Sequence, residues 1–567
     1  MSEKALGSKL INSIWKYISE KQNELPLYHG NDVSEFIPAS TECCFSTKKR
    51  AKINYNEIIN LVSRLFEHNN TAVSGMAFLL DGELVGEYHK VPYTKEYRHV
   101  SYSVSKTIVA LGFGIAVSKG FISVDTRLTS IFPEQKRIFT KANMKNITFK
   151  HLLTMTAGVT FDEMSSYFSF DWRKDFVSGD VMSSPGEEFY YNSLNSYMIV
   201  AAICKVTGVS FMDFMKEHLF SPMGITDITW DRCPMGVERG GWGMKLSLID
   251  MLKFGQLILD EGNWQGIQLL ESEWIRELTT CHVELKDRKI IYGYGYSIWL
   301  LRDGAFLMNG LFGQNVYINP DKRLVIATIS SGEELFPDGE IVESICKFAS
   351  IDNNFFYNKQ RYFLADRFKN KLHRIMDKTL KEEYFRKVLG LYLGNKYIFS
   401  EYASGVLPLL TQIVYSNFSS GIESLKIELS NNDLTLIIKD TDDDITLNVG
   451  FSYKEPYKYQ IINIKGKDFP VAVSGKLALD ENGRVFLKIE VIYLEEASDR
   501  VFRIFFQKDS IRFKAYETPS IKNFISKFVK DDYVWRTRVF KNYIPSDYLD
   551  YKMNKILQPD VIGYIDD

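Results

Sequence analysis

The stretch His99-Val-Ser-Tyr-Ser-Val-Ser-Lys-Thr-Ile-Val-Ala-Leu-Gly-Phe-Gly-Ile-Ala-Val-Ser-Lys-Gly120 places polar residues at the start of a long apolar segment. Nearly every residue from Thr107 to Val117 is apolar, which predicts a helix that is buried on almost all sides and ends near Gly120. Ser103 and Lys106 are three residues apart and therefore share one face at the first turn. Free backbone N–H groups and the helix dipole favour developing negative charge at that turn. The stretch thus predicts a nucleophile, a candidate base and part of an oxyanion site.

A lone Ser-x-x-Lys motif is weak evidence, because about three such matches are expected by chance in a chain of this length. Two others, Ser13-Ile-Trp-Lys16 and Ser46-Thr-Lys-Lys49, have no apolar helix after them. Lys106 differs because it lies at the mouth of an apolar helix, where partial burial lowers the pKa of a lysine toward that of a general base. The context therefore favours the catalytic interpretation.

The composition indicates several domains and a small partner. A chain of 567 residues is too long for one hydrophobic core. With 69 basic and 71 acidic residues, the formal net charge is −2, which gives no electrostatic support for binding nucleic acid or an acidic membrane. Six scattered cysteines and unclustered histidines indicate no metal site, no disulfide framework and no cofactor. A small-molecule or short peptide-like substrate is the expected partner, and the oligomeric state is left open.

The sequence also bears on the location of the protein. No apolar run reaches the ~20 residues of a membrane span. The first residues lack the apolar core of a signal peptide. We therefore expect a cytoplasmic protein with no membrane span.

The order of the predicted elements divides the chain into five segments. Residues 1–54 form an N-terminal extension, and residues 55–352 combine helices and strands in a catalytic α+β domain. Residues 353–384 form a charged helical linker. Residues 385–520 contain short alternating strands, typical of a small antiparallel barrel or sandwich, and residues 521–567 form a helical or irregular tail.

Within the α+β domain, several local patterns have structural meaning. Asp81-Gly82 predicts the turn of a hairpin, and Tyr292 to Leu301 is predicted to be one strand. Residues 159–183 are aromatic and acidic, which suggests a long loop on the rim of a substrate site. Tyr190-Tyr-Asn192 then stands at the mouth of a predicted helix over residues 193–206.

The motifs together resemble a known family. Ser103-Val-Ser-Lys106, Tyr190-Tyr-Asn192 and a glycine turn at Gly310 occur in the order of the serine β-lactamase and penicillin-binding-protein superfamily. The chain is most similar to the class C β-lactamase-like branch, whose second motif begins with tyrosine rather than Ser-Asp-Asn. Further stretches that match are His151 to Gly158, Pro185-Gly186, Gly240-Gly241 with Asp250, Tyr292 to Gly295, and Pro320-Asp321.

The resemblance covers about residues 60 to 350. It implies a β-lactamase/transpeptidase-like catalytic domain, with an antiparallel sheet flanked by helices and an all-helical subdomain. The smaller β-rich barrel or sandwich domain then follows as a separate unit.

The resemblance also implies the catalytic roles. Ser103 would be the nucleophile, which needs a neighbouring base at neutral pH. Lys106, and Tyr191 if nearby ammonium charge holds it as a phenolate, would pass the serine proton to the leaving group and later activate water. Similar sequences place the tyrosine six positions after the proline of Pro-Gly, which from Pro185 gives Tyr191, with Tyr190 as the alternative.

Three further residues belong to the implied substrate site. Asn192 would hold a substrate amide or Lys106 itself, although an ordinary helix cap remains an alternative. The oxyanion hole would consist of the backbone N–H groups of Ser103 and Leu311, the residue after Gly310. Gly310 could also be a simple turn glycine.

Met308 departs from the family pattern, which usually has lysine or histidine two residues before this glycine. That cation commonly binds the carboxylate of a penicillin or of a D-alanyl end. The Gly-x-x-Gly-Gln form of residues 310–314 is instead similar to esterase and 6-aminohexanoate-oligomer hydrolase relatives. The leading hypothesis is a serine hydrolase that cleaves an ester or amide through an acyl-enzyme on Ser103. The alternatives are a β-lactamase or D-amino-acid peptidase, and a non-catalytic or slow acyl-sensor.

Overall fold

The computed structural model describes residues 55–68, 71–135, 142–167, 169–351, 389–390, 392–403, 405–415, 421–430, 433–440, 443–452, 455–520 and 559–566, with single residues at 45, 387, 417 and 419. These residues fall into two compact units, one before residue 352 and one after residue 386. The predicted N-terminal extension, apart from Phe45, and the predicted linker lie outside the described residues, as does most of the predicted tail. The boundaries of the five segments therefore stay predictions.

The helices of the first unit are α1 (Tyr55–Glu67), α2 (Val104–Ser118), α3 (Leu128–Ile131), α4 (Ala142–Asn146), α5 (Phe149–Leu153), α6 (Glu163–Ser166), α7 (Trp172–Ser178), α8 (Leu194–Thr207), α9 (Phe211–Met215), α10 (Leu248–Leu259), α11 (Ser272–Thr279) and α12 (Glu340–Ser350), with 3₁₀ turns at Pro133–Gln135 and Leu311–Gly313 and a π-helical turn at Lys216–Phe220. Its strands are β1 (Val73–Leu80), β2 (Glu83–His89), β3 (His99–Val100), β4 (Thr229–Trp230), β5 (Met244–Leu246), β6 (Asn263–Trp264), β7 (Ile267–Gln268), β8 (Val283–Glu284), β9 (Ile291–Tyr294), β10 (Trp299–Leu301), β11 (Phe306–Gly310), β12 (Gln314–Asn319) and β13 (Leu324–Ser330).

An antiparallel sheet of order β2-β1-β13-β12-β11-β10-β9-β8 forms the centre of this unit. The predicted hairpin is confirmed, since β1 pairs with β2 across Asp81 and Gly82, both at positive φ. β13 lies between β1 and β12, so the first and last strands of the unit are hydrogen-bonded neighbours inside the sheet. The predicted α+β class is therefore correct.

The helix α2 has the burial that its sequence predicts, since every residue from Val104 to Ala116 is buried. Two glycines allow its neighbours to approach closely. A Cβ atom at Gly112 would lie 2.5 Å from Met215 Sδ, and one at Gly114 would lie 2.2 Å from Trp274 Nε1. Glycine costs roughly 1 kcal/mol relative to alanine inside a helix, so tight packing here offsets a weaker local propensity.

The prediction of one strand from Tyr292 to Leu301 is wrong. The segment forms two strands, β9 and β10, which pair with each other in an antiparallel hairpin. Ser297 has a φ of 57° in the connecting turn. A Cβ atom at Gly295 would come within 2.1 Å of the Leu278 carbonyl oxygen, so glycine is required at that contact.

The second unit contains β14 (Lys396–Ala403), α13 (Leu409–Tyr415), β15 (Ile422–Ser430), β16 (Asp433–Asp440), β17 (Asp443–Val449), β18 (Lys458–Ile464), β19 (Lys467–Leu479), β20 (Val485–Tyr493), β21 (Asp499–Phe506), β22 (Ser510–Thr518) and β23 (Asp560–Ile565). They form one antiparallel sheet of order β17-β16-β15-β14-β23-β22-β21-β20-β19-β18.

This second sheet is a nearly closed barrel, which decides between the two predicted architectures. Its two end strands approach each other where Gln460 Nε2 donates to the Asn448 carbonyl oxygen at 3.1 Å and the Asn448 backbone N–H donates to Gln460 Oε1 at 3.2 Å. Side chains along a strand alternate between the two faces of the sheet, and only one face is buried in the core. In β16, for example, Leu434, Leu436 and Ile438 are buried on the same face.

The prediction of a helical or irregular tail is wrong for residues 560–565. This segment is the strand β23, which pairs with both β14 and β22. Its short sequence has a weak periodicity of its own. Strand formation here depends on hydrogen bonds and packing supplied by two distant neighbours.

The described helices and polar side chains bear on membrane and metal binding. No single described helix is long and apolar enough to cross a membrane, although the bent pair Leu194–Thr207 and Phe211–Phe220, with an angle of 81° between them, is so by length and composition. The same part of the chain holds no group of three or more His, Cys, Asp or Glu side chains placed to bind a metal ion.

Candidate active site

Ser103 and Lys106 meet at the N-terminal end of α2. Lys106 Nζ lies 2.6 Å from Ser103 Oγ and donates to the Gly241 carbonyl oxygen at 2.9 Å. Ser103 is partly exposed, whereas the lysine side chain is buried, with 1% exposure. The serine hydroxyl is therefore accessible to a substrate and in direct contact with a buried amine.

The environment of Lys106 favours its neutral form. Burial lowers the pKa of Lys106 to about 7, against a smaller opposing effect of the Glu163 carboxylate. A lysine in water has a pKa near 10.4 and is almost fully protonated at neutral pH. Near pH 7 a large fraction of Lys106 is thus a free amine that can accept a proton.

Tyr191 is the tyrosine that the structure brings to Ser103. Its hydroxyl is hydrogen-bonded to Ser103, and Lys106 Nζ lies 4.8 Å from the centre of its ring. The ring stacks on Trp299 at a centroid distance of 5.6 Å, which fixes its plane. The charged neighbours of Tyr190 are Asp162 and Glu163, of which Glu163 also acts on Tyr191.

The expectation that Tyr191 is held as a phenolate is not met. Burial raises the pKa of Tyr191 well above its ordinary value, and the hydrogen bond from Ser103 only partly opposes this effect. In the free protein Tyr191 is therefore a neutral phenol. These pKa shifts favour Lys106 over Tyr191 as the candidate base, and the catalytic roles of both residues stay predictions.

Asn192 has a fully internal set of hydrogen bonds. Its Nδ2 donates to the carbonyl oxygens of Val159 and Phe161, both at 2.9 Å, and its Oδ1 accepts from the Leu194 backbone N–H at 2.8 Å. The side chain is 0% exposed. This geometry favours the helix-capping alternative, and a substrate contact from Asn192 stays a prediction.

The strand β11 brings Gly310 against the nucleophile. A Cβ atom at Gly310 would lie 2.3 Å from the Ser101 carbonyl oxygen and 3.2 Å from the Ser103 backbone nitrogen, so no other residue type fits. Leu311 follows at the start of a 3₁₀ turn. The two segments predicted to form the oxyanion hole are thus adjacent, and the role of their N–H groups stays a prediction.

Two aromatic residues in the left-handed region support this junction. Tyr102 has a φ of 45° and Phe312 a φ of 66°, and their rings meet edge to face at 5.4 Å. Such backbone conformations are strained in non-glycine residues and persist where the surroundings impose them. Each residue directly adjoins one side of the predicted oxyanion site.

Comparisons with known proteins bear on the family of this part of the chain. The family model described as Beta-lactamase matches residues 62–342. This region of the chain belongs to the serine β-lactamase and penicillin-binding-protein superfamily.

The relatives of this β-lactamase-like domain are distant. A β-lactamase of Escherichia coli is 29% identical over 161 residues, which are 28% of this chain and 41% of that protein. A 6-aminohexanoate-dimer hydrolase of Paenarthrobacter ureafaciens is 20% identical over 297 residues, covering 46% of this chain and 73% of that protein. The solved octameric penicillin-binding-protein homologue of Pyrococcus abyssi is 16% identical, with a TM-score of 0.43. The match covers 81% of this chain and 100% of the homologue's chain.

The β-lactamase-like domain has no cation at position 308. Met308 is 1% exposed and belongs to the apolar core that it shares with α2. Next to it, Asn309 Nδ2 donates to Asn315 Oδ1 at 2.7 Å, which ties β11 to β12. Gln314 is buried and donates to the carbonyl oxygens of Leu311 and Ser330, so it fixes the glycine turn from inside.

Sequence reasoning missed two members of this β-lactamase-like site. The Gly240-Gly241 pair was singled out only as a family match, yet Gly241 is the carbonyl partner of Lys106. Glu163 was part of the predicted rim, without a role of its own. Its Oε1 accepts from the Ser193 backbone N–H at 2.8 Å, and its charge acts on Lys106. Two adjacent acids in an aromatic segment, at 162 and 163, were the available signal.

Proposed function

We propose that the β-lactamase-like domain is a serine hydrolase that cleaves an ester or amide bond through an acyl-enzyme on Ser103. The observation that carries this proposal is the 2.6 Å contact between Ser103 Oγ and a buried lysine whose pKa is lowered to about 7. A base matched to neutral pH is what a serine hydroxyl needs to become a nucleophile.

In the acylation step, neutral Lys106 takes the proton of Ser103 as its Oγ attacks the substrate carbonyl carbon. The oxygen of the tetrahedral intermediate gains negative charge beside the backbone of Ser103 and Leu311, next to the N-terminus of α2. The bond to the leaving group then breaks, and the proton held by Lys106 reaches that group through the Tyr191 hydroxyl. The products are the acyl-enzyme and a protonated alcohol or amine.

Deacylation uses the same groups in reverse. Water gives a proton to Lys106, attacks the acyl carbonyl carbon and forms a second tetrahedral intermediate. Its collapse releases the carboxylic acid and returns the proton to Ser103 Oγ.

Ser103→Ala is expected to abolish covalent labelling by a fluorophosphonate probe, because the variant lacks the attacking oxygen. Intact-mass spectrometry measures the adduct, and thermal unfolding should change little since the hydroxyl is partly exposed. Ser118→Ala, at the exposed far end of α2, is the matched control and should label like the wild type. Labelling of the Ser103→Ala protein would exclude this serine. A sensor would keep an ester-derived adduct for hours, whereas an enzyme sheds it.

Met308 leads to an expected substrate preference. Without a cation there, a substrate carboxylate would be buried unpaired, which costs on the order of a few kcal/mol, or about a hundredfold in specificity. Neutral esters should therefore have a higher kcat/KM than benzylpenicillin or D-alanyl-D-alanine peptides. Met308→Leu keeps an uncharged side chain at this core position and should leave the difference unchanged. Hydrolysis of benzylpenicillin as fast as a neutral ester by the wild type would contradict this and favour the β-lactamase alternative.

A further inference from the structure

Glu163 connects the rim segment 159–183 to the groups that hold Lys106. Its Oε1 accepts the Ser193 backbone N–H at 2.8 Å. Ser193 is packed on Gly241, where an added Cβ atom would lie 2.6 Å from Ser193 Cβ. Gly241 in turn accepts from Lys106 Nζ at 2.9 Å. A chain of direct contacts thus fixes the carboxylate relative to the lysine.

The charge of Glu163 also acts on Lys106 directly. Burial lowers the pKa of Lys106, and the Glu163 carboxylate is the charged group that raises it. Among the described residues, the other groups in contact with Lys106 Nζ are uncharged near neutrality, since Ser103 and the Gly241 carbonyl are its hydrogen-bond partners and Tyr191 is a neutral phenol. Glu163 is itself partly exposed.

Asp162 is the second acid nearby, and its environment differs. It is buried, with Oδ1 accepting the Ser165 backbone N–H at 2.9 Å at the start of α6. Burial, and then the charge of Glu163, raise the pKa of Asp162 to about 7. Asp162 therefore titrates in the same range as Lys106 and has to be distinguished from it by experiment.

We propose that Glu163 is a positioning residue whose carboxylate, fixed by the Ser193 N–H, stabilises the ammonium form of Lys106 and so sets the acid limit of Ser103 reactivity. The inference rests on the proposed function. During acylation Lys106 becomes an ammonium, and Glu163 stabilises that state until the proton moves to the leaving group. The same interaction keeps more Lys106 protonated in the free enzyme, so reactivity is lost at a higher pH than burial alone would give.

The test measures the rate of Ser103 labelling by a fluorophosphonate from roughly pH 5 to pH 9 in the full-length protein, a range that spans the titration of both groups. Glu163→Gln keeps an acceptor for the Ser193 N–H but removes the charge. In this variant the acid limb of the profile, the pH range in which the labelling rate falls on acidification, should move to lower pH by about one unit. This is the lower end of the pKa shift that an adjacent opposite charge causes. Glu163→Asp keeps the charge and should leave the limb nearer that of the wild type. Asp162→Asn keeps the α6 cap and should not move it.

Two results would overturn the role proposed for Glu163 and leave the proposed function intact. An unchanged midpoint in Glu163→Gln, with or without a uniformly lower rate, would make Glu163 only a structural anchor. A shift in Asp162→Asn instead would assign the limb to Asp162. A wild-type protein that no probe labels at any pH would overturn the proposed function itself, and a thermal unfolding curve for each variant separates these results from loss of the fold.

Discussion

Lys106→Met is expected to lower the turnover of a neutral ester by ~10²–10⁴, the range for loss of a positioned general base. Methionine retains most of the volume of the buried side chain but has no nitrogen to accept the Ser103 proton. Because the native residue is a buried amine with 1% exposure, its replacement by an apolar side chain should not lower the melting temperature. Steady-state kinetics with a 4-nitrophenyl ester, together with thermal unfolding, measure both effects.

The wild-type pH profile is a second test of the same assignment. Turnover should fall as the pH drops below about 7, because Lys106 then gains a proton and no longer acts as a base. Lys119→Met changes an exposed lysine directly after the end of the same helix and is the matched control. Normal turnover in Lys106→Met would show that another group activates Ser103.

Tyr191→Phe is expected to reduce turnover by ~10²–10⁴, because it removes the hydroxyl that is hydrogen-bonded to Ser103. The ring and its stacking on Trp299 are retained, so the change is confined to proton transfer. The loss should be larger for an amide than for an activated ester, since an amine leaves poorly unless it is protonated. Parallel kinetics on a 4-nitrophenyl ester and the matching anilide measure this difference.

Tyr190→Phe is the control next in the chain. Tyr190 has Asp162 and Glu163 as charged neighbours and should affect turnover much less. A large loss in Tyr190→Phe with near-normal turnover in Tyr191→Phe would reverse the assignment of the two tyrosines.

The parts of the fold that the sequence predicted have strong local signals. The apolar run after Ser103 and the Asp81-Gly82 turn each determine a local conformation with few alternatives. The wrong predictions concern segments whose conformation depends on neighbours. The turn between β9 and β10 needs a glycine against the Leu278 carbonyl, and β23 is ordered by two strands far away in sequence.

The candidate site also contains features set by the local sequence and features set by distant segments. Ser103 and Lys106 could be paired from spacing alone, because a helix brings residues three apart together. Tyr191 could be preferred over Tyr190 only through the family spacing from Pro185, since adjacent side chains point in different directions and the packing on Trp299 fixes the one that reaches Ser103. Asn192 was identified as polar and well placed, but its partners Val159 and Phe161 come from another segment.

By itself the sequence determined a buried α2 with a serine and a lysine at its first turn, and the hairpin of β1 and β2. These features follow from backbone periodicity and from steric limits that act over a few residues. The sequence also predicted a lowered pKa for Lys106, but only the tertiary structure decided its extent, to about 7, together with a neutral Tyr191 and the neighbouring carboxylate of Glu163. Protonation depends on burial and on charges contributed by separate segments, and neither is defined until the chain has folded.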